Sequence, residues 1–139
     1  MALVLDSGVV IALIDADDSR HQACVALADA LADEDLVVPG TTLPEIDYFL
    51  RKRGSVEGWV AFVDEINAGA YRLHWPDEAE IVRAADIEVR YGDLRLGFVD
   101  ASVIAACERL GETKVATLDH RHFSVVRPNH CDALTLLPA

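Results

Sequence analysis

The chain is poor in cysteine, in aromatic residues, in cations and in long apolar runs, and each shortage removes a class of protein. Its three cysteines, Cys24, Cys107 and Cys131, are odd in number and form no Cys-x-x-Cys pair. A disulfide scaffold and a structural zinc site are therefore excluded, and a reducing compartment, the cytoplasm, is expected. Phe, Trp and Tyr together make up 6% of the residues, so no stacking platform for single-stranded bases stands out. Lys plus Arg number 12 against 24 Asp plus Glu, a formal net charge of −12. Such a chain repels polyanions, and any nucleic-acid role needs a local explanation. The longest apolar run, Val9–Ile14, falls far short of the roughly 20 residues a membrane span needs. The opening Met1–Asp6 has no basic leader and is cut by a carboxylate, so it is not read as a secretory signal.

What remains is ample apolar material. At 139 residues and 52% hydrophobic, the chain is expected to fold as one domain over residues 1–139, with enough buried surface to offset chain entropy. Apolar strand-like runs alternate with helical patterns. Strands are expected at Ala2–Leu5, Leu36–Val38, Tyr71–Trp75, Val115–Leu118 and Leu134–Leu137.

The intervening stretches read as helices. One follows Asp6-Ser7 through Ile14. Another starts from a capping-box spacing at Ser19 and Gln22 and carries Cys24, Leu27, Ala28 and Leu31 on one face. A third opens at Thr42-Leu43-Pro44-Glu45, with Ile46, Phe49 and Leu50 inward and Gly54 as its stop. A fourth begins at Ser55 with Trp59, Phe62, Val63 and Ile66 on one face, and this Trp59/Phe62 helix is one that a dimer face could draw on, unless the core uses all of its apolar residues. A fifth runs from Pro76-Asp77 to about Tyr91. A sixth runs from about Asp100 to a stop at Gly111. Uniformly apolar strands alternating with helices imply a mostly parallel sheet of four to five strands in a three-layer α/β/α domain.

Ligands of such sheets bind beyond the carboxyl ends of the strands. Asp6 and Asp119 end predicted strands, and Glu45 and Asp100 begin helices that start at the same edge. Each acid has a bland reading: Glu45 as the capping-box partner of Thr42, Asp100 as a complement to a helix dipole, Asp6 and Asp119 as turn or cap residues. Capping alone does not require the four to meet. Two carboxylates about 5 Å apart repel by roughly 3 kcal/mol at an effective dielectric near 20. A converged quartet therefore needs protonation or a hard divalent cation, Mg²⁺ or Mn²⁺.

The segments Leu3-Val4-Leu5-Asp6-Ser7, Pro44-Glu45-Ile46, Gly97-Phe98-Val99-Asp100-Ala101-Ser102 and Ala116-Thr117-Leu118-Asp119-His120-Arg121-His122-Phe123 together resemble a PIN domain, and more narrowly the VapC-type ribonuclease toxins of bacterial toxin–antitoxin pairs. The resemblance covers nearly the whole length. It implies an Mg²⁺-dependent endoribonuclease whose metal-binding acids are Asp6, Glu45, Asp100 and Asp119, supported by Ser7 and Thr117. It also implies a homodimer and neutralisation by a small antitoxin protein.

Around that set, Asp93 and Asp47 read as peripheral, Asp93 being the stronger supporting candidate. Arg51, Lys52 and Arg53 read either as phosphate contacts for RNA or as a solvated helix end. Arg121 lies beside Asp119 and is a further substrate-contact candidate. Its flanking His120 and His122 read as surface or packing residues, and His21, His74 and His130 as structural. A phosphoacceptor receiver domain, the main non-enzymatic rival, needs paired acids after the first strand and a Lys after a late strand. Here Ser7 follows Asp6 and Lys114 precedes its strand. A non-catalytic protein-binding domain would not need all four acids.

Overall fold

In the computed structural model, which describes residues 1–54 and 56–139, strands β1 (Ala2–Leu5), β2 (Asp35–Pro39), β3 (Arg72–His74), β4 (Lys114–Ala116) and β5 (Thr135–Leu137) pair in the order β3-β2-β1-β4-β5, every pairing parallel. The helices are α1 (Ser7–Ile14), α2 (His21–Ala30), α3 (Leu43–Arg53), α4 (Val56–Asn67), α5 (Glu78–Arg90), α6 (Phe98–Leu110) and the single turn α7 (His120–Phe123).

The uniformly apolar strands are explained by burial on both sides. In β1, Ala2 and Val4 face one core together with Ile87, Val103, Ile104 and Phe123. Leu3 and Leu5 face a second core with Val9, Cys24, Ile46 and Phe62. Helices α1 to α4 thus cover one face and α5 and α6 the other, the expected three-layer α/β/α arrangement. No helix among the described residues is long and apolar enough to cross a membrane. The three cysteines are free, Cys24 and Cys107 buried.

The strand order reverses beside β1: the chain steps outward to β2 and β3, then returns to place β4 on β1's other side. The crevice at the carboxyl ends of β1 and β4 is the topological switch point, where open parallel sheets bind ligands.

Several local expectations change. Neither predicted capping box forms. Helix α2 begins at His21 with no side-chain cap, and the Arg20 amide instead donates to Asp18. The Thr42 hydroxyl donates to the Pro39 carbonyl at 2.7 Å, so Glu45 is released from capping duty. The proposed helix start at Ser55 lies outside the described residues. Phe49 and Val63, read as inward, are each 40% exposed, because α3 and α4 bury narrower faces built on Ile46, Leu50 and Phe62. Phe62 is fully buried and Trp59 packs against it, so these two residues belong to the core, while Val56, Val60 and Val63 of the same helix are exposed.

Other boundaries hold. Asp77 caps α5 by accepting from the Glu80 amide at 2.9 Å. Gly111 closes α6 at φ +69°, a left-handed conformation that glycine adopts without steric cost.

Candidate metal centre

The last backbone bond of β1 begins the site. The Asp6 amide donates to the Ala116 carbonyl at 2.8 Å, which sets Asp6 beside the residue that follows β4, Thr117. Asp6 then caps α1: its Oδ1 accepts from the Ser7 amide at 2.8 Å and its Oδ2 from the Thr117 hydroxyl at 2.9 Å. The same Thr117 oxygen accepts from the Asp119 amide at 3.0 Å. One buried hydroxyl therefore holds two of the predicted acids in register.

Glu45 arrives from α3. Its Oε1 accepts from the Ser7 hydroxyl at 2.9 Å, tying the first turn of α3 to the first turn of α1. Asp100 arrives in the first turn of α6. That turn is fastened to the β2–α3 connection through Ser102, whose hydroxyl donates to the Val99 carbonyl and accepts from the Thr41 hydroxyl, both at 2.6 Å.

The electrostatics show that the acids share one space. Burial pushes the Asp6 carboxyl up to about 6, with repulsion from Asp100 and Glu45 adding to it against the Ser7 and Thr117 hydrogen bonds. Asp100 is also raised, by burial first and then by Asp119 and Glu45. The four acids named from the sequence thus lie near one another, with Ser7 bonded to Glu45 and Thr117 to Asp6.

His122 is the residue that sequence reasoning set aside. It lies one helical turn from Asp119, its Nδ1 2.7 Å from Asp119 Oδ2, and its amide donates to Asp119 Oδ1 at 3.1 Å. Asp100, Asp119 and His122 each offer a ligand atom within 4.8 Å of the others. The only signal available was the Asp-x-x-His spacing across a turn too short to show periodicity. The two carboxylates and imidazole of this group, with Asp6 and Glu45 nearby, fit a divalent cation.

Other candidates lie elsewhere. Asp93 is exposed in the 3-10 turn Gly92–Leu94. Asp47 pairs with Arg51 at 3.0 Å on the surface of α3. The basic triplet occupies the last turn of α3, roughly 9–12 Å along the helix from Glu45. Its Arg53 is bound to Asp15 and Asp18, and Lys52 lies over the Tyr48 ring. Those contacts favour the helix-end reading over phosphate contact. Arg121 stands exposed on α7, beside His122. His21, His74 and His130 bond to Ala12, Glu80 and Glu112, the structural roles expected of them. Lys114 pairs with Glu34 at the start of β4, the wrong end of the strand for a receiver domain.

A cavity of about 410 Å³ opens between α5 and α6, but its charges are matched within the wall. Arg83 grips Glu108 at 2.8 and 3.0 Å, and Arg109 reaches Glu80 at 3.3 Å. Glu108 and Arg109 sit at the far end of α6 from Asp100, so this cavity is separate from the carboxylate crevice.

An open parallel sheet with a carboxylate cluster at its switch point defines an α/β protein with a candidate metal site. Residues 3–127 match the PIN domain family, and the chain belongs to that family. Across 136 residues, 98% of this chain and 100% of the relative, it is 34% identical to Ribonuclease VapC26 of Mycobacterium tuberculosis (strain ATCC 25618 / H37Rv). Its fold is that of the crystal structure of Mycobacterium tuberculosis VapC20, a sarcin-ricin loop cleaving toxin (TM-score 0.76, 20% identity, 86% of this chain and 92% of that one). It is also similar to VapBC2 from Rickettsia felis bound to a promoter DNA fragment (TM-score 0.69, 12% identity, 98% and 97%). FitAcB from Neisseria gonorrhoeae follows (TM-score 0.62, 17% identity, 85% and 88%).

Proposed function

We propose that this protein is an Mg²⁺-dependent endoribonuclease, with Mn²⁺ as a substitute, and the toxin of a toxin–antitoxin pair. The observation that carries the reading is Asp6: a carboxylate buried to 6% exposure, placed beside Asp100 and Glu45, with its pKa raised to about 6. Metal-free, this arrangement opposes its own ionisation; with a dication it is a binding site. Membership of the PIN family and the near-full-length likeness to a VapC ribonuclease support the same conclusion.

Asp6 and Asp100 are the central ligands, and Glu45 and Asp119 complete the set. When bound, the cation lowers the pKa of a coordinated water and neutralises charge on the scissile phosphate. The chain's own contribution is preorganisation: Thr117 aims Asp6 and Asp119, Ser7 aims Glu45, and the Thr41–Ser102 pair holds the start of α6 against the start of α3. In-line hydrolysis leaves 5′-phosphate and 3′-hydroxyl ends. Arg121 contacts substrate phosphate near the acids, and Arg51, Lys52 and Arg53, engaged by their neighbours at the end of α3, do not. A homodimer and a cognate antitoxin belong to the same proposal, as does a cytoplasmic location.

The test is cleavage of RNA by the purified chain. Activity with Mg²⁺, loss in EDTA, and loss in Asp6→Asn and Asp100→Asn with the fold retained are the expected results. Cleavage that persists in EDTA would rule the mechanism out.

A further inference from the structure

The two ends of the carboxylate crevice are chemically unlike. At the Asp6–Glu45 end, the contacts holding the carboxylates come from oxygen and backbone groups: the hydroxyls of Ser7 and Thr117 and the Ser7 amide. At the Asp100–Asp119 end an imidazole is present. We propose that His122 is a metal ligand, converting the Asp100–Asp119 end into a mixed nitrogen–oxygen site that prefers a first-row transition dication such as Mn²⁺ over Mg²⁺. The inference rests on the metal-centre reading above and adds a ligand and a selectivity to it.

Two distances carry it. The ligand atoms of Asp100, Asp119 and His122 lie within 4.8 Å of one another, close enough to share an ion. The 2.7 Å between His122 Nδ1 and Asp119 Oδ2 is near the spacing of adjacent ligands on one ion. Two donors each roughly 2.1 Å from an octahedral ion sit about 3 Å apart when at right angles. An ion can therefore take the place of the bridging proton with a movement of a few tenths of an ångström, as order of magnitude.

The pair is also held by the backbone. Asp119 caps α7 through the His122 amide, and the buried Phe123 anchors the turn to the sheet. The His122 side chain keeps 26% exposure, so it can turn toward an ion without opening the core. Imidazole suits the first-row transition ions best from Fe²⁺ to Zn²⁺, and Mn²⁺, at the weak end of that series and otherwise an oxygen-ligand ion, still accepts it more readily than Mg²⁺, which favours carboxylate, phosphate and water oxygens. Removal of the imidazole therefore penalises the transition ion more than Mg²⁺.

The test uses the full chain loaded with Mn²⁺ alone and pulsed electron paramagnetic resonance to detect a directly bound ¹⁴N. A nitrogen coupling is expected in the unmodified chain and its loss in His122→Ala and in His122→Asn. Mn²⁺ affinity should fall roughly 10–100-fold in both variants while Mg²⁺ affinity changes far less. His122→Asn keeps a side-chain group able to hydrogen-bond Asp119, so Mn²⁺ affinity unchanged in that variant would show that His122 only orients Asp119 and would overturn the assignment. So would absence of the nitrogen signal in the unmodified chain. RNA cleavage without that signal sinks this inference and leaves the nuclease reading standing; the signal without cleavage does the reverse.

Discussion

Thr117 Oγ1 donates to Asp6 Oδ2 across 2.9 Å, a fully buried bond between residues 111 positions apart in sequence. Through it the end of β1 and the segment after β4 are locked together at the reversal of strand order. Because the hydroxyl also accepts from the Asp119 amide, a single side chain sets the spacing of two of the clustered acids.

Thr117→Val should expose that dependence. The isosteric change removes a hydrogen bond to a charged group, worth about 1.5–3 kcal/mol, and leaves the Asp119 amide without its acceptor. Urea unfolding should show a loss of that size at neutral pH. Affinity for Mg²⁺ should fall about 10–100-fold, read by calorimetric titration.

Asp6 makes stability depend on pH in a defined direction. Its pKa in the folded chain, about 6, lies above the ordinary aspartate value of 3.8. The folded state therefore binds this proton more tightly, and the stability it confers is present below pH 3.8 and lost as pH rises to about 6. The loss is on the order of 3 kcal/mol. Asp6→Asn removes the ionisation. In EDTA near pH 7.5 the variant should be the more stable protein by about 2 kcal/mol, or roughly 6–10 °C in Tm. Near pH 4 that advantage should vanish. A variant less stable than the parent at pH 7.5 would contradict the electrostatic reading.

Metal should restore what ionisation costs. Mg²⁺ at about 100 times its Kd should stabilise the parent chain by about 2.7 kcal/mol, provided the unfolded chain does not bind it. Asp100→Asn should abolish most of this shift in a thermal scan, because Asp100 supplies both a ligand and part of the repulsion on Asp6.

Ser7→Ala and Glu45→Gln should separate positioning from charge. Ser7→Ala removes the 2.9 Å anchor of Glu45 while leaving its charge. Its expected effects are about 0.5–1.5 kcal/mol of lost stability and weaker metal binding. Glu45→Gln can keep an acceptor for Ser7 but removes a negative charge that bears on Asp6 and Asp100. The metal-free chain should gain stability while RNA cleavage falls, a split measured by parallel melting and cleavage assays.

The cations should divide by position. Arg121→Ala should raise KM for RNA and reduce the salt slope of binding by about one. Arg51→Ala and Lys52→Ala should leave the slope unchanged. Arg53→Ala should cost less than about 1 kcal/mol of stability, since its pairs with Asp15 and Asp18 are partly exposed.

The amino-acid pattern alone was sufficient for the layer architecture and for the four acids. Apolar runs such as Ala2–Leu5 can be satisfied only by cover on both faces, and strands joined by helices must run parallel. Carboxylates at strand ends and helix starts then share an edge whatever the detailed packing. Local pattern could not settle which competing hydrogen bond a side chain takes. Thr42 with Glu45 and Ser19 with Gln22 have capping spacing, yet Thr42 turns to Pro39 and Glu45 to Ser7. Likewise, i, i+4 spacing marked Phe49 and Val63 as inward, but the width of a buried face depends on the neighbour it meets. The strand order that places Asp6 between β2 and β4, the Thr117 bridge, and the meeting of His122 with Asp119 and Asp100 were decided by tertiary structure. Each joins groups whose proximity comes from chain closure, and periodicity within one segment carries no record of a partner a hundred residues away.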